Sequence, residues 1–350
     1  MPDRDKIKAA TAKIFQDMAS AMAVGMVYVG VRTGLFRVMA GGGAMSAAEV
    51  AAAGGLQQRY VEEWLNGMTA CGYLHYDAAR KTFTLADEYA HLLAADDSDH
   101  FAGGLFYMAP PLLSAAPKVA EAFTTGGGVH FGEFGEAGAD ALDLINRGNY
   151  RHRFAQYWLK ALPEVTAQLA AGARALDFGC GAGQVSIALA RAFPASTFHG
   201  VERDAASLAR ARRGAAEAGV ERRVEFFPGL AALGDGTYQL LTICDCVHDL
   251  ARPVAALGEA RRKLAAGGTL FVVEPKAGDS LADNCNPVGA MFYGFSLFHC
   301  MTQSLAEGGP GFGTCMGPAR LEKLLGEAGF RDFRQLDIKS GVNNFYAAAR

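Results

Sequence analysis

The 350-residue chain predicts an α/β protein, with a mainly parallel sheet in its C-terminal half behind a mostly helical N-terminal domain. Three observations carry this expectation. From Ala173 onward short apolar runs alternate with helical segments, the pattern of a parallel sheet with helices on both faces. The first such run, Ala175-Leu176-Asp177, opens into Phe178-Gly179-Cys180-Gly181-Ala182-Gly183, with glycines at alternate positions. The first hundred residues show three helical patterns followed by two short strand patterns around a turn.

In that N-terminal domain, residues 1–100, a long helix is expected over residues 5–39, closed by Gly41-Gly42-Gly43. Ser46 caps a short helix over 47–53. A third helix spans 58–70, and strands at 73–76 and 81–85 form a hairpin. The order is that of a winged helix, which raises a DNA-binding regulator as one functional class, its third helix entering the major groove. The charges oppose it: that helix sets Arg59 against Glu62 and Glu63, and residues 1–110 hold nine Lys/Arg against twelve Asp/Glu. Phosphate contacts dominate DNA affinity, so no nucleic-acid partner is expected. Residues 22–31 are apolar, but glycines interrupt them and Arg32 closes them short of the roughly twenty residues needed to span a bilayer. A packed or dimer-forming helix, and no membrane association, is the expectation.

A net charge of −3 with scattered basic residues gives no general attraction to polyanions. Half the residues (51%) are hydrophobic, enough for sizeable cores. Seven cysteines form no tidy framework and the N-terminus shows no signal-peptide pattern, which points to a reducing cytoplasm. Residues 101–170 read as a helical linker and lid, broken by Pro110-Pro111 and Gly126-Gly127-Gly128. The last helix there carries Tyr150, Phe154, Tyr157 and Trp158, most of them expected to pack on the sheet, with Tyr150 the pocket candidate.

The third domain, residues 171–350, carries the ligand turn. Glycines are needed where a chain leaves a buried strand and starts a helix while a ligand approaches bare backbone. Asp177 selects the ligand: its carboxylate would repel a pyrophosphate and hold a cationic or zwitterionic group. That favours S-adenosylmethionine (SAM) over NAD, although Gly181, Gly183 and Ser186 loosely fit a dinucleotide fingerprint. The next strand ends at Glu202, nineteen residues beyond Gly183, where a carboxylate accepts ribose hydroxyls. Further strands are expected at 224–227, 240–244, 269–274, 333–337 and 344–348, the last two a hairpin.

The fourth strand ends Cys244-Asp245-Cys246-Val247-His248-Asp249-Leu250. A neutral His248 imidazole could take the proton of a hydroxyl or thiol acceptor, with Glu274, at the end of the fifth strand, holding its orientation. Alternatively His248 bonds nearby backbone and Glu274 caps a loop. Met291, Phe295, His299 and Thr302 recur at helical spacing, which suits either core or an acceptor pocket. Cys244, Cys246, His248, Cys285, His299, Cys300 and Cys315 share the domain, but Cys-x-Cys-x-His is not a common zinc spacing and no metal is expected.

These residues resemble, over nearly the whole chain, the small-molecule O-methyltransferase-like class of SAM-dependent methyltransferases with an N-terminal winged-helix dimerisation domain. The segments 283–287 and 298–302 resemble its bacterial, regulator-like members. The resemblance implies a Rossmann-like seven-stranded methyltransferase sheet, a homodimer and a small methyl acceptor. It implies a catalytic base at His248 with its acid at Glu274. It also implies cofactor contacts from Asp177, Gly179, Gly181, Gly183, Glu202, Gly229, Leu230, Asp245 and Cys246, and acceptor contacts from Tyr150, Met291, Phe295 and His299. Three positions depart from the class. Leu250 replaces the tryptophan that usually follows His-Asp, Gly229-Leu230 replaces Gly-Asp, and Cys315 falls where plant-type members place a second acid. The departures at Leu250 and Cys315 leave room for an S-methyltransferase acting on a thioether, which needs no base.

Overall fold

The computed structural model describes residues 2–234 and 236–350. Two compact units emerge, Met1–Pro110 with Leu144–Gly148, and Pro111–Asp143 with Asn149–Arg350. The first unit therefore runs ten residues past the expected boundary at 100, and the expected linker at 101–170 is divided between the two.

In the first unit, helix α1 (Arg4–Thr33) starts at Asp3, whose carboxylate accepts from the amides of Asp5 and Lys6. It ends where Gly34 adopts φ +77°, and α2 (Leu35–Met39) follows as a separate turn. The continuous helix expected over 5–39 is thus broken at Gly34, because a left-handed residue cannot propagate a helix. Helix α3 (Ala47–Gly54) opens with a capping box between Ser46 and Glu49. Helix α4 (Gln58–Ala70) buries Val61, Trp64, Leu65 and Met68, and pairs Arg59 with Glu63 at 2.5 Å on its exposed side. Strands β1 (Leu74–Asp77) and β2 (Thr82–Leu85) form the wing, Leu74 opposite Leu85.

Most of α1 stays exposed: Ile14, Phe15, Met18 and Met22 are each more than half accessible. The apolar stretch also reaches further than residues 22–31. By length and composition α1 is long and apolar enough to cross a bilayer, with a mean hydropathy of 1.4 over its best 18 residues.

The second unit is built on seven strands, β3 (Arg174–Phe178), β4 (Thr197–Val201), β5 (Val224–Phe227), β6 (Tyr238–Cys244), β7 (Leu264–Pro275), β8 (Arg331–Gln335) and β9 (Asn343–Ala349). Their order is β5-β4-β3-β6-β7-β9-β8, with β3 to β7 parallel and β9 antiparallel to both β7 and β8. Separate apolar layers cover the two faces, one around Phe154, Trp158, Phe271 and Phe345, the other around Leu257, Val272, Leu321 and Tyr346. Strand order reverses between β3 and β6, so the crevice beyond their carboxyl ends is where such a sheet binds ligands.

Candidate active site

The ligand turn lies at the end of β3. Asp177 is buried, and its two carboxylate oxygens accept from Ser186 Oγ at 3.0 Å and Thr242 Oγ1 at 2.8 Å. Thr242 lies opposite Asp177 in the β3–β6 register, so the lone hydroxyl in the run Leu240-Leu241-Thr242-Ile243 is the sequence signal for this partner. Burial raises the Asp177 pKa to about 6 against the two hydroxyl donors. The turn folds back onto β4: the amides of Gly179 and Cys180 both donate to Val201 O, at 2.9 and 3.0 Å. Glu202, just past β4, accepts from the Gly181 amide at 3.1 Å with one oxygen and from the Asp204 amide at 2.9 Å with the other.

Two glycines are required for different reasons. Gly183 has φ +75°, and a Cβ there would meet the Phe226 ring at 2.6 Å, so close packing of the next helix, Gln184–Ala192, demands it. Gly181 has φ +50° and nothing within 4 Å of where its Cβ would stand, so this point of the turn borders open space.

Beyond β6, Asp245 takes the left-handed φ of 49°, uncommon for a residue with a side chain. Its carboxylate accepts from Tyr150 Oη at 2.5 Å and from Asn343 Nδ2 at 3.5 Å, and burial raises its pKa to about 6. Tyr150, the pocket candidate, is therefore a buried partner of Asp245. Cys246 packs its thiol on the glycine turn, 2.6 Å from where a Gly179 Cβ would lie. Gly229 is extended and Leu230 leans on the second apolar layer.

Glu274 near the end of β7 organises the neighbouring loop. One oxygen accepts from the amides of Cys246 and Val247, at 3.3 and 2.9 Å, and the other binds His248 Nδ1 at 2.6 Å. Both side chains are buried, and the carboxylate thereby fixes a proton on Nδ1. Burial pulls the His248 pKa down, but the Glu274 charge and the Cys300 thiol outweigh it and hold it well above the ordinary value. Asp249, driven by burial to about 7, accepts a short hydrogen bond from Gln303.

The helix Pro287–Phe295 carries Met291 and Phe295, both partly buried. It widens into a π turn at Ser296–Cys300 that brings His299 and Cys300 inward. Cys300 Sγ contacts His299 Nδ1 at 3.5 Å and lies close to the His248 imidazole, a grouping the sequence does not signal. Ligating atoms of His248, Asp249 and Cys300 lie within 4.8 Å of one another, with His248 and Asp249 already bound by Glu274 and Gln303. Thr302 Oγ1 accepts from the Val129 amide at 3.0 Å, a structural role. Cys315 is half-buried nearby.

Residues 20–95 match the Rv2258c-like winged HTH domain family, and residues 176–270 match a methyltransferase domain family. The ubiquinone biosynthesis O-methyltransferase of Xanthomonas campestris is 32% identical over 101 residues, 29% of this chain and 42% of that enzyme. The chain thus spans less than half the length of the curated relatives it matches. Human N-acetylserotonin methyltransferase in complex with SAM shares the fold, with a TM-score of 0.73 at 17% identity, over 100% of this chain and 98% of that one. So does an O-methyltransferase from neocarzinostatin biosynthesis, in complex with S-adenosyl-L-homocysteine (SAH) and 1,4-dihydroxy-2-naphthoic acid. Its TM-score is 0.64 at 19% identity, covering 97% of this chain and 98% of that one.

The C-terminal sheet domain accordingly carries a methyltransferase domain and has the fold of solved methyltransferases in complex with SAM and SAH. The chain joins it to an N-terminal winged HTH domain.

Proposed function

We propose that the protein transfers a methyl group from SAM to a hydroxyl of a small-molecule acceptor, with His248 as the proton sink and Glu274 as its orienting acid. The observation that carries this reading is the buried Glu274–His248 pair at 2.6 Å beside the glycine turn of a methyltransferase sheet. Bound SAM would supply an electrophilic methyl on a sulfonium. Asp177, Glu202 and Asp245 would hold its positive and hydroxyl groups, and the open space at Gly181 suits backbone approach. His248 takes the proton the acceptor loses, and the carboxylate stabilises the imidazolium that results. The neighbouring enzyme with a dihydroxynaphthoic acid favours an aromatic hydroxyl as acceptor. The Phe131 and Phe134 rings, 5.9 and 4.6 Å from His299, supply an aromatic wall for it.

The same reading makes the protein a homodimer through α1, in a reducing compartment such as the cytoplasm, without nucleic acid or membrane. The exposed Lys13–Asp17 ion pair at 2.7 Å sits in the middle of α1, among Ile14, Phe15 and Met18. A bilayer interior disfavours that pair, whereas a helix-helix contact leaves it at the rim. The test is incubation with methyl-labelled SAM and a panel of phenols, thiols and thioethers, with products read by mass spectrometry. Methylated phenol that disappears in His248→Ala supports the reading. A sulfonium product formed equally well by that variant would establish the thioether chemistry instead.

A further inference from the structure

We infer that His299 and Gln303 together recognise a second polar group on the acceptor, an uncharged one that offers both an oxygen and an N–H or O–H hydrogen, such as a carboxamide. This rests on the methyl-transfer reading above and leaves His248 to the hydroxyl that is methylated. The two side chains are only 3% and 4% exposed. Yet His299 Nε2 and Gln303 Oε1 have no hydrogen-bond partner among the described residues, although both atoms are shut off from water. Unpaired buried polar atoms destabilise a fold, so two of them on one helix face point to a ligand that pairs them. Residues four apart do share a face, and 299 and 303 run from the π turn at Ser296–Cys300 into the helix Met301–Ala306. That face meets the loop that carries the base, because Gln303 Nε2 donates a short hydrogen bond to Asp249, next in sequence to His248. The Phe131 and Phe134 rings pack on the His299 imidazole.

Hydrogen counting gives the ligand group its character. The Gln303 amide nitrogen is committed to Asp249, so its carbonyl oxygen is left as an acceptor. His299 Nδ1 lies 3.5 Å from Cys300 Sγ. Burial raises the Cys300 pKa, so the sulfur keeps its proton, and an imidazole nitrogen accepts a hydrogen bond better than a thiol sulfur does. The thiol therefore donates to Nδ1, and the ring proton of the neutral imidazole sits on Nε2. The face thus presents one N–H and one C=O, which a carboxamide or a hydroxyl answers and a carboxylate does not. Charge points the same way. Burial and the nearby His248 lower the His299 pKa to about 4, so its ring carries no charge near neutrality, and the His248 imidazolium is already paired with Glu274. A carboxylate here would be buried without a free counter-charge.

The pairing makes a demand that plain packing does not: affinity must follow the chemistry of the second group. Calorimetric titration of the full-length protein, saturated with SAH, with ortho-, meta- and para-hydroxybenzamide and the matching hydroxybenzoates measures that preference. At least one amide should bind about 10-fold or more tightly than its carboxylate, the worth of about one hydrogen bond to a buried group. His299→Phe and Gln303→Leu should each cut the ratio to within about 3-fold. His299→Gln, whose side-chain N–H can stand in for Nε2–H, should keep it. Side chains that merely pack would change the affinity for all the compounds together and leave the ratio alone. The absence of any amide preference, its survival in either apolar variant, or its loss in His299→Gln would overturn the pairing. SAM binding to the free wild type reports separately: its absence would overturn the methyl-transfer reading, whereas SAM binding without an amide preference would overturn the pairing alone.

Discussion

A carboxylate that bonds only backbone amides is easy to pass over, yet at Glu202 both oxygens do so, tying the glycine turn to the start of the next helix. Replacing Glu202 by Ala removes a charged acceptor from Gly181 and from the ribose position together. We predict SAM binding weaker by about 1–3 kcal/mol in calorimetry, with SAH affected equally because both carry the same ribose. Glu274 makes a different demand. Glu274→Gln keeps the shape but removes the charge that stabilises the His248 imidazolium, so turnover should fall roughly 10²–10⁴-fold while SAM affinity changes little. Steady-state kinetics on an identified hydroxyl acceptor would separate the two effects. A variant with unchanged turnover would show that Glu274 only braces the loop.

Among the elements, those written locally in the sequence are the legible ones. Alternation of apolar runs and helices predicts the seven strands and the closing hairpin, because periodicity and order are local properties. The break between α1 and α2 is hidden, because a single Gly34 between Thr33 and Leu35 gives little sign of its left-handed φ, whereas the conspicuous Gly41-Gly42-Gly43 marks a boundary further on. The Glu274–His248 pair is foreseeable, since adjacent strands end side by side in an open parallel sheet. The Cys300 contact is not, because a π turn at Ser296–Cys300 adds a residue to one helical turn and rotates the side chains beyond it. Gly183 offers the test at this scale. Gly183→Ala must adopt a left-handed φ and push the Phe226 ring aside, so thermal or denaturant unfolding should show a loss of at least about 1–3 kcal/mol. Retention of full stability would mean that the turn relaxes freely and does not hold its shape for a ligand.

For the whole molecule, two features await a partner: the exposed apolar ridge of α1 and a sheet crevice rich in buried and half-buried carboxylates. If α1 joins two copies, Met18→Glu should shift the protein from dimer to monomer in light scattering without unfolding the sheet domain. Partition of the wild type into detergent micelles as a monomer would point to a membrane instead. The crevice makes the more direct demand. Burial raises Asp177 and Asp245 to about 6 and Asp249 to about 7, so in the ligand-free protein these groups still hold protons that an unfolded chain would have lost. Their contribution to stability therefore declines as pH rises from about 4 to 7. A bound cation reverses the shift by favouring the ionised forms, and protons are released.

Calorimetry at about pH 6.5, in buffers of different ionisation enthalpy and with SAM, SAH and NAD as ligands, tests the central claim that this crevice is built for SAM. The account predicts that SAM and SAH bind and NAD does not, and that SAM, with its sulfonium charge, releases more protons than SAH. Preference for NAD, or SAM binding with proton uptake, would contradict it.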